Sequence, residues 1–419
     1  MTDLAHCDGF LGRQPILDRV QKLYAYELLF RDSTRGNYAA FADGNLASAT
    51  VIANAFSELS MANALGPYQG FIKIDRGLLF SDLIEALPTH IVVLELIESV
   101  NPTPDLLARC IALRNAGFSL AVRVRAESPE QSRPLLEQAK VIKVDLSQVP
   151  AERLAALVAE LRPYGRTLLA EKVESNEQMA QCRDLGFELF QGYFFARPLV
   201  IHGRRLQPSE LSLLHLLALL SRDADTSVVE KALKQEPALT LNLLRLTNSA
   251  GSGLATRITS LGHAITLLGR RQLIRWLQLL LYSAKPGEAG INPLLQLAAT
   301  RGRLMELLTD RTPEAAQGGR ELIDQAYMTG ILSLMPTLLA CPLSEVLAEL
   351  PVASTVLEAL EAHSGVLGDL LALVEALEDG DAITLAAASA RRPEIDPAFA
   401  NACLSRALTW ANSLARDAT

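Results

Sequence analysis

Residues 141–194 read VIKVDLSQVPAERLAALVAELRPYGRTLLAEKVESNEQMAQCRDLGFELFQGYF. Three β-rich runs, Val141–Val144, Leu168–Val173 and Leu189–Phe194, alternate here with two helix-patterned segments, Pro150–Leu161 and Asn176–Leu185. Repeated strand–helix units imply a parallel sheet with helical crossovers. The same pattern extends upstream, with β-like runs at Phe71–Ile74, Ile91–Leu96 and Leu120–Val124 and helical patterns at Thr103–Ala116 and Pro129–Ala139. So many units in so short a stretch favour a closed barrel, although the pattern alone leaves an open sheet as the alternative. Ahead of them, Phe10–Leu17 and Lys22–Phe30 flank the turn Asp18–Gln21 and read as an opening hairpin.

After Pro198 the composition changes, and from Leu211 onward no convincing strand pattern is found. Ser227, with Glu230 three residues later, has the form of a capping box that starts a helix. Pro237 suits a first helical turn, and Gly251 follows Leu239–Asn248 as a stop signal. Ser260 can cap a helix bearing the stripe Leu261, Ala264, Ile265 and Leu268, ended by Gly269; Leu273, Leu277 and Leu280 repeat the stripe. The expected fold class is therefore α/β followed by all-α: a (β/α) barrel over residues 1–200 and a helical domain over residues 201–419. The polar and basic segment Leu199–Ser209 is the expected linker.

The chain has 419 residues, of which 49% are hydrophobic and 21% charged, enough to bury a large core. Its net charge of −8 argues against a non-specific nucleic-acid binder. The five cysteines, Cys7, Cys110, Cys182, Cys341 and Cys403, are scattered and read as reduced thiols, neither a disulfide framework nor a zinc site. The start MTDLAHCDGF lacks the basic and apolar regions of a signal peptide. The apolar stretches near Leu211–Leu220 and Leu273–Tyr282 reach only about half of the ~20 residues a membrane span needs. A cytoplasmic protein without membrane contact is expected.

The active site of a parallel barrel lies at the C-terminal ends of its strands. Ionisable or polar residues recur at those ends: Lys73, Glu95, Arg123, Lys143 with Asp145, Glu171 with Glu174, and Gln191, with Glu27 in the hairpin. Taken singly, each is an ordinary polar strand end meeting water. Together, several acids and bases on one mouth suit a divalent cation and a phosphate, because hard cations take carboxylate oxygens and lysine balances phosphoryl charge.

Tyr26-Glu-Leu-Leu-Phe-Arg31 resembles the signature of EAL domains, the cyclic-di-GMP phosphodiesterases, with leucine in place of the signature alanine. Leu94-Glu-Leu-Ile-Glu-Ser99, Ile142-Lys-Val-Asp145, Ala170-Glu-Lys-Val-Glu-Ser175 and Phe190-Gln-Gly-Tyr-Phe-Phe-Ala-Arg-Pro198 continue the resemblance in order. The resemblance implies that Glu27, Glu95 and Glu171 help hold metal ions, that Lys143 supports the attacking water, that Gln191 lines the site and that Arg31 approaches the ligand's phosphate. Further on, Glu236–Ser249 and Ile258–Gly269 resemble an HDOD domain, a family similar to the HD phosphohydrolases without their His-Asp pair, and Met328–Met335 and Ala407–Ala411 resemble later stretches of EAL–HDOD proteins. None of the six histidines here is followed by Asp, and His263 reads as a helix-flank residue.

The departures from the EAL pattern decide the expected function. The family's metal-binding Asn is Lys73, its paired aspartates are Arg123 and Val124, and the glycine after the catalytic Glu is Lys172. Two cations about 4 Å apart repel by roughly 4 kcal/mol at an effective dielectric of ~20, so fixed positive charge beside a metal position opposes binding. The degenerate pocket of Glu27, Arg31, Lys73, Glu95, Arg123, Val124, Lys143, Asp145, Glu171 and Gln191 is therefore expected to hold no metal and no other cofactor. The expected function is that of a catalytically inactive signalling adaptor, contacting an unknown signalling protein through its HDOD domain. A metal-independent cyclic-di-GMP receptor is the first alternative and an active phosphodiesterase the second. A homodimer is an analogy with the family's barrels, which often pair. Lys73 is expected to bridge to Glu27 or Glu95, and Arg123 to reach a neighbouring acid.

Overall fold

The computed structural model describes residues 9–32, 65–81, 84–85, 87–96, 102–125, 129–192, 194–195, 208–222, 224–234, 261–282, 293–339, 342–348, 350, 352–379 and 382–417. The chain divides into two compact units, one of Met1–Arg197 with Ala376–Ala386, the other of Pro198–Glu375 with Ala387–Thr419.

In the first unit eight strands close into a barrel in chain order: β1 (Gly9–Asp18), β2 (Leu23–Asp32), β3 (Gln69–Ile74), β4 (Val92–Leu96), β5 (Ser119–Arg123), β6 (Val141–Asp145), β7 (Thr167–Glu171) and β8 (Leu189–Gln191). Strand β1 is antiparallel to both β2 and β8, and every other neighbouring pair is parallel. The opening hairpin turns where Asp18 Oδ1 accepts the N–H groups of Val20 and Lys22 and Gln21 takes a positive φ of 60°.

Helices Pro104–Asn115, Ala151–Leu161 and Asn176–Leu185 make crossovers. Ala151–Leu161 buries Leu154, Leu157, Val158 and Leu161, a stripe of helical period. Ser175 Oγ accepts the Gln178 N–H and starts the third. The expected helix at Pro129–Ala139 is instead a 3₁₀ turn, Pro129–Ser132, followed by one α-turn, Arg133–Leu136. Pro134 has no N–H to return to Glu130, which breaks the helical ladder there. The runs Leu168–Val173 and Leu189–Phe194 are also shorter as strands, ending at Glu171 and Gln191.

Every strand gives one residue to a single buried layer: Ile16, Ala25, Phe71, Val93, Ala121, Val141, Leu169 and Leu189. Side chains two residues apart on a strand point the same way. One pleat toward the C-terminal mouth, the corresponding positions are Glu27, Lys73, Glu95, Arg123, Lys143, Glu171 and Gln191. On β1, which runs the other way, the position is Gln14. A polar layer thus stands directly on an apolar floor.

The second unit is helical throughout its described residues. Its helices include Pro208–Ser221, Leu261–Leu281, Pro293–Thr309, Ala315–Leu332 and Pro397–Asp417. Pro208 and Ser209 are already helical, so the expected linker is shorter than Leu199–Ser209, and 199–207 lie outside the described residues. The helix expected to start at Ser227 begins at Thr226, with Asp225 O accepting the N–H groups of Val228 and Val229. Gly269 breaks the helix at its predicted stop, at φ 68° and ψ 165°, conformations that glycine reaches without a Cβ penalty. Leu273, Leu277 and Leu280 beyond it are buried. Pro237, Leu239–Asn248, Gly251 and Ser260 lie outside the described residues, as do the side chains of Leu261, His263, Ala264, Ile265 and Leu268. Helices Pro293–Thr309 and Ala315–Leu332 meet at Gly302 and Gly330, where a Cβ on Gly330 would lie 2.7 Å from Gly302 Cα. Among the described residues no helix is long and apolar enough to cross a membrane.

Candidate functional site

The polar layer is a closed electrostatic network centred on Lys143, which is 0% exposed. Its ammonium donates to Glu27 Oε2 at 2.8 Å and Glu95 Oε2 at 2.5 Å, and stands 2.8 Å from Glu171 Oε1. Lys73 Nζ pairs with the other Glu27 oxygen at 2.5 Å, from a side chain that is 39% exposed. Arg123 spans Glu171 with Nε at 2.7 Å and Nη2 at 3.0 Å, and its Nη2 comes within 3.7 Å of Glu95. Gln191 Nε2 donates to Glu27 Oε2 at 2.8 Å and to Gln14 Oε1 at 2.7 Å. The parallel register explains the convergence: Lys73 lies beside Glu95 and Arg123 beside Lys143 across adjacent strands.

Burial disfavours charge on Glu27, yet the ammonium groups of Lys143 and Lys73 hold its carboxyl far below the usual carboxylate range. Burial likewise opposes ionisation of Glu171, and Lys143 and Arg123 overcome it. Glu95 goes the other way, raised by burial and by the neighbouring Glu27 carboxylate against the pull of Lys143 and Lys73. Lys143 is driven up, burial being outweighed by Glu171, Glu27 and Glu95.

Not every predicted site residue joins this network. Asp145 stands at the same mouth, but its carboxylate is taken by Lys172 Nζ at 2.9 Å and by the Ser147 N–H and hydroxyl at 3.0 and 2.7 Å. Lys172 sits at φ 56°, the left-handed region that favours glycine. Val124 is buried just past β5 and offers no oxygen ligand. Arg31 lies on β2, with its side chain outside the described residues. Gln14 was not among the predicted residues. Its signal was the strand period counted backwards from Ile16 along an antiparallel strand.

Oxygens of Glu27, Glu95 and Glu171 lie within 4.8 Å of one another, a spacing that one divalent ion could span. With Lys143 alone beside them they would keep two negative charges for such an ion. Lys73 and Arg123 cancel those two charges, and between them the three cations contact all three carboxylates. The residues present do not fit a divalent metal.

An EAL domain model matches residues 42–198 and an HDOD domain model matches residues 211–363. The chain is an EAL–HDOD protein. Among its relatives, this EAL–HDOD chain is 29% identical over 412 residues to the uncharacterized protein YuxH of Bacillus subtilis, covering 97% of this chain and 98% of that one. It is 29% identical over 379 residues to the cyclic di-GMP phosphodiesterase CdgJ of Vibrio cholerae, covering 89% of this chain and 85% of CdgJ. An EAL domain protein of Listeria monocytogenes of known structure is 19% identical, covering 46% of this chain and 90% of its own at a TM-score of 0.38.

The lowered carboxyls of Glu27 and Glu171 give the EAL–HDOD chain a definite acid response. A folded-state pKa below the unfolded value adds stability above the unfolded pKa, and that stability is lost as pH falls. Urea midpoints for the barrel should stay level from about pH 7 to about pH 5 and decline below about pH 4.5, the raised Glu95 opposing part of the decline. A midpoint unchanged down to about pH 3 would contradict the network.

Proposed function

We propose that this chain is a signalling adaptor that does not hydrolyse cyclic di-GMP and acts by binding a partner protein through its HDOD domain. The observation carrying the reading is the charge balance at the barrel mouth, where Lys73, Arg123 and Lys143 neutralise Glu27, Glu95 and Glu171. Metal-assisted phosphodiester hydrolysis needs a cation that polarises the phosphoryl group and activates water. A mouth already neutral gives such a cation little attraction. The receptor alternative is weakened by the same contacts, because three of the cations it would use to meet the ligand's phosphates already face carboxylates. Among the described residues, the glutamate set is the only group of three or more acid, histidine or cysteine side chains placed to share an ion. This favours a binding surface over a metal centre in the helical unit.

The enzyme reading remains the competitor to test, since the relative CdgJ is named a cyclic di-GMP phosphodiesterase. Incubating the whole chain with cyclic di-GMP and magnesium or manganese should leave the cyclic dinucleotide intact by chromatography, with CdgJ as the positive control. Calorimetric titration with the same nucleotide should give no binding heat with or without the metal. A linear dinucleotide product overturns the proposal. Binding without turnover supports the receptor alternative instead.

A further inference from the structure

At the opposite end of the barrel from the charge network, the N-terminal ends of β5, β6 and β7 open into a cleft of about 400 Å³. That volume falls in the roughly 300–1,000 Å³ range of small-ligand sites. Its apolar wall includes Phe118 and Leu120, both buried, and its cations are Arg114, Lys140 and Arg166. Among the described residues no acidic side chain lines it.

These cations differ from most others on the barrel. Arg76, Arg109, Arg133 and Arg153 pair with Asp105, Glu85, Glu137 and Glu160. Among the described residues Arg114, Lys140 and Arg166 have no carboxylate partner, although the chain carries a net charge of −8. Arg166 Nη2 donates to the Glu137 carbonyl at 2.9 Å, which fixes the guanidinium and leaves its other N–H groups free to meet a ligand. The bland account of Arg114 is a cation complementing the last turn of its helix. That account covers neither Lys140 nor Arg166, each of which stands just before a strand.

We propose that this cleft binds a small phosphate monoester, a sugar phosphate or a nucleoside monophosphate. Arg114, Lys140 and Arg166 meet the phosphate oxygens, guanidinium groups being suited to two-pronged contact with them. The apolar wall packs against the carbon frame. The site is separate from the charge network, since β6 runs from one to the other.

The test is calorimetric titration of the whole chain with inorganic phosphate, ribose 5-phosphate and adenosine monophosphate. At least one monoester should bind about tenfold more tightly than inorganic phosphate, and the better of the two names the source. The exposed pair Lys140→Ala with Arg166→Ala should weaken binding by tenfold or more. Thermal melting checks that the variants fold, and Lys140→Ala alone serves if the double variant does not. No binding by any probe at about ten millimolar overturns the proposal. So does binding that survives the cleft variants, or that is abolished by Lys73→Ala at the other mouth.

Discussion

Replacing Lys143 with methionine lowers the stability of the barrel by roughly 3–5 kcal/mol at neutral pH, the usual cost of removing one partner from a buried ionic set. The side chain is fully buried and touches all three glutamates, so its loss leaves carboxylates within 4.8 Å of one another with no central cation. For a unit of this size each kcal/mol moves the melting temperature by roughly 2–4 °C, giving a shift on the order of 10 °C. The loss should shrink on acidification, because Glu95, already raised, takes up a proton first. Adding Glu95→Gln to Lys143→Met should restore part of the difference. A methionine variant melting within a degree or two of the parent would show that the ammonium does not balance these acids. Lys73→Ala should cost far less, about 1 kcal/mol, because that side chain is 39% exposed and Glu27 keeps Lys143 and Gln191.

The second large effect is expected at Gly330, where two helices of the other unit touch backbone to backbone. A Cβ there would meet Gly302 Cα at 2.7 Å, Gly302 N at 2.8 Å and Arg301 C at 2.9 Å. Backbone cannot move aside as a flexible side chain can, so Gly330→Leu must push the helix Ala315–Leu332 off Pro293–Thr309. Tyr327 and Ile331, both buried on the displaced helix, lose packing in turn. Overpacking of this kind costs on the order of 3 kcal/mol. Chemical denaturation should show it as a lower midpoint at unchanged slope. A leucine variant as stable as the parent would mean that the helices are not in contact here.

The barrel was legible because its strands are short β-rich runs separated by amphipathic segments, and strand alternation carried most of the site with them. Once Phe71 and Val93 are read as inward, Lys73 and Glu95 follow at the next inward positions. What the sequence hid was mostly local chemistry. Pro134 cut a helical pattern that composition alone made continuous. Asp225 took the capping position because its carbonyl, two residues earlier than Ser227, receives the first helical N–H groups. Asp145 looked like a member of the acid cluster, and only the turn at Lys172 shows why its carboxylate faces elsewhere. Gln14 was hidden by chain direction: on an antiparallel strand the mouth lies before the apolar position and not after it.

The layering of the barrel bears on how such a chain can change over generations. An apolar floor seals one side of the polar layer, so its charges have few neighbours but each other. Neutrality of the set is therefore inherited as a single property, and no member can drift alone without unbalancing the others. Related chains that lose Lys73 or Arg123 should lose a glutamate as well, or regain oxygen ligands and the cation that those ligands attract. Position pairs 27 with 73 and 123 with 171 are where such compensating exchanges should be sought, and their joint state would sort inert barrels from working ones before any assay.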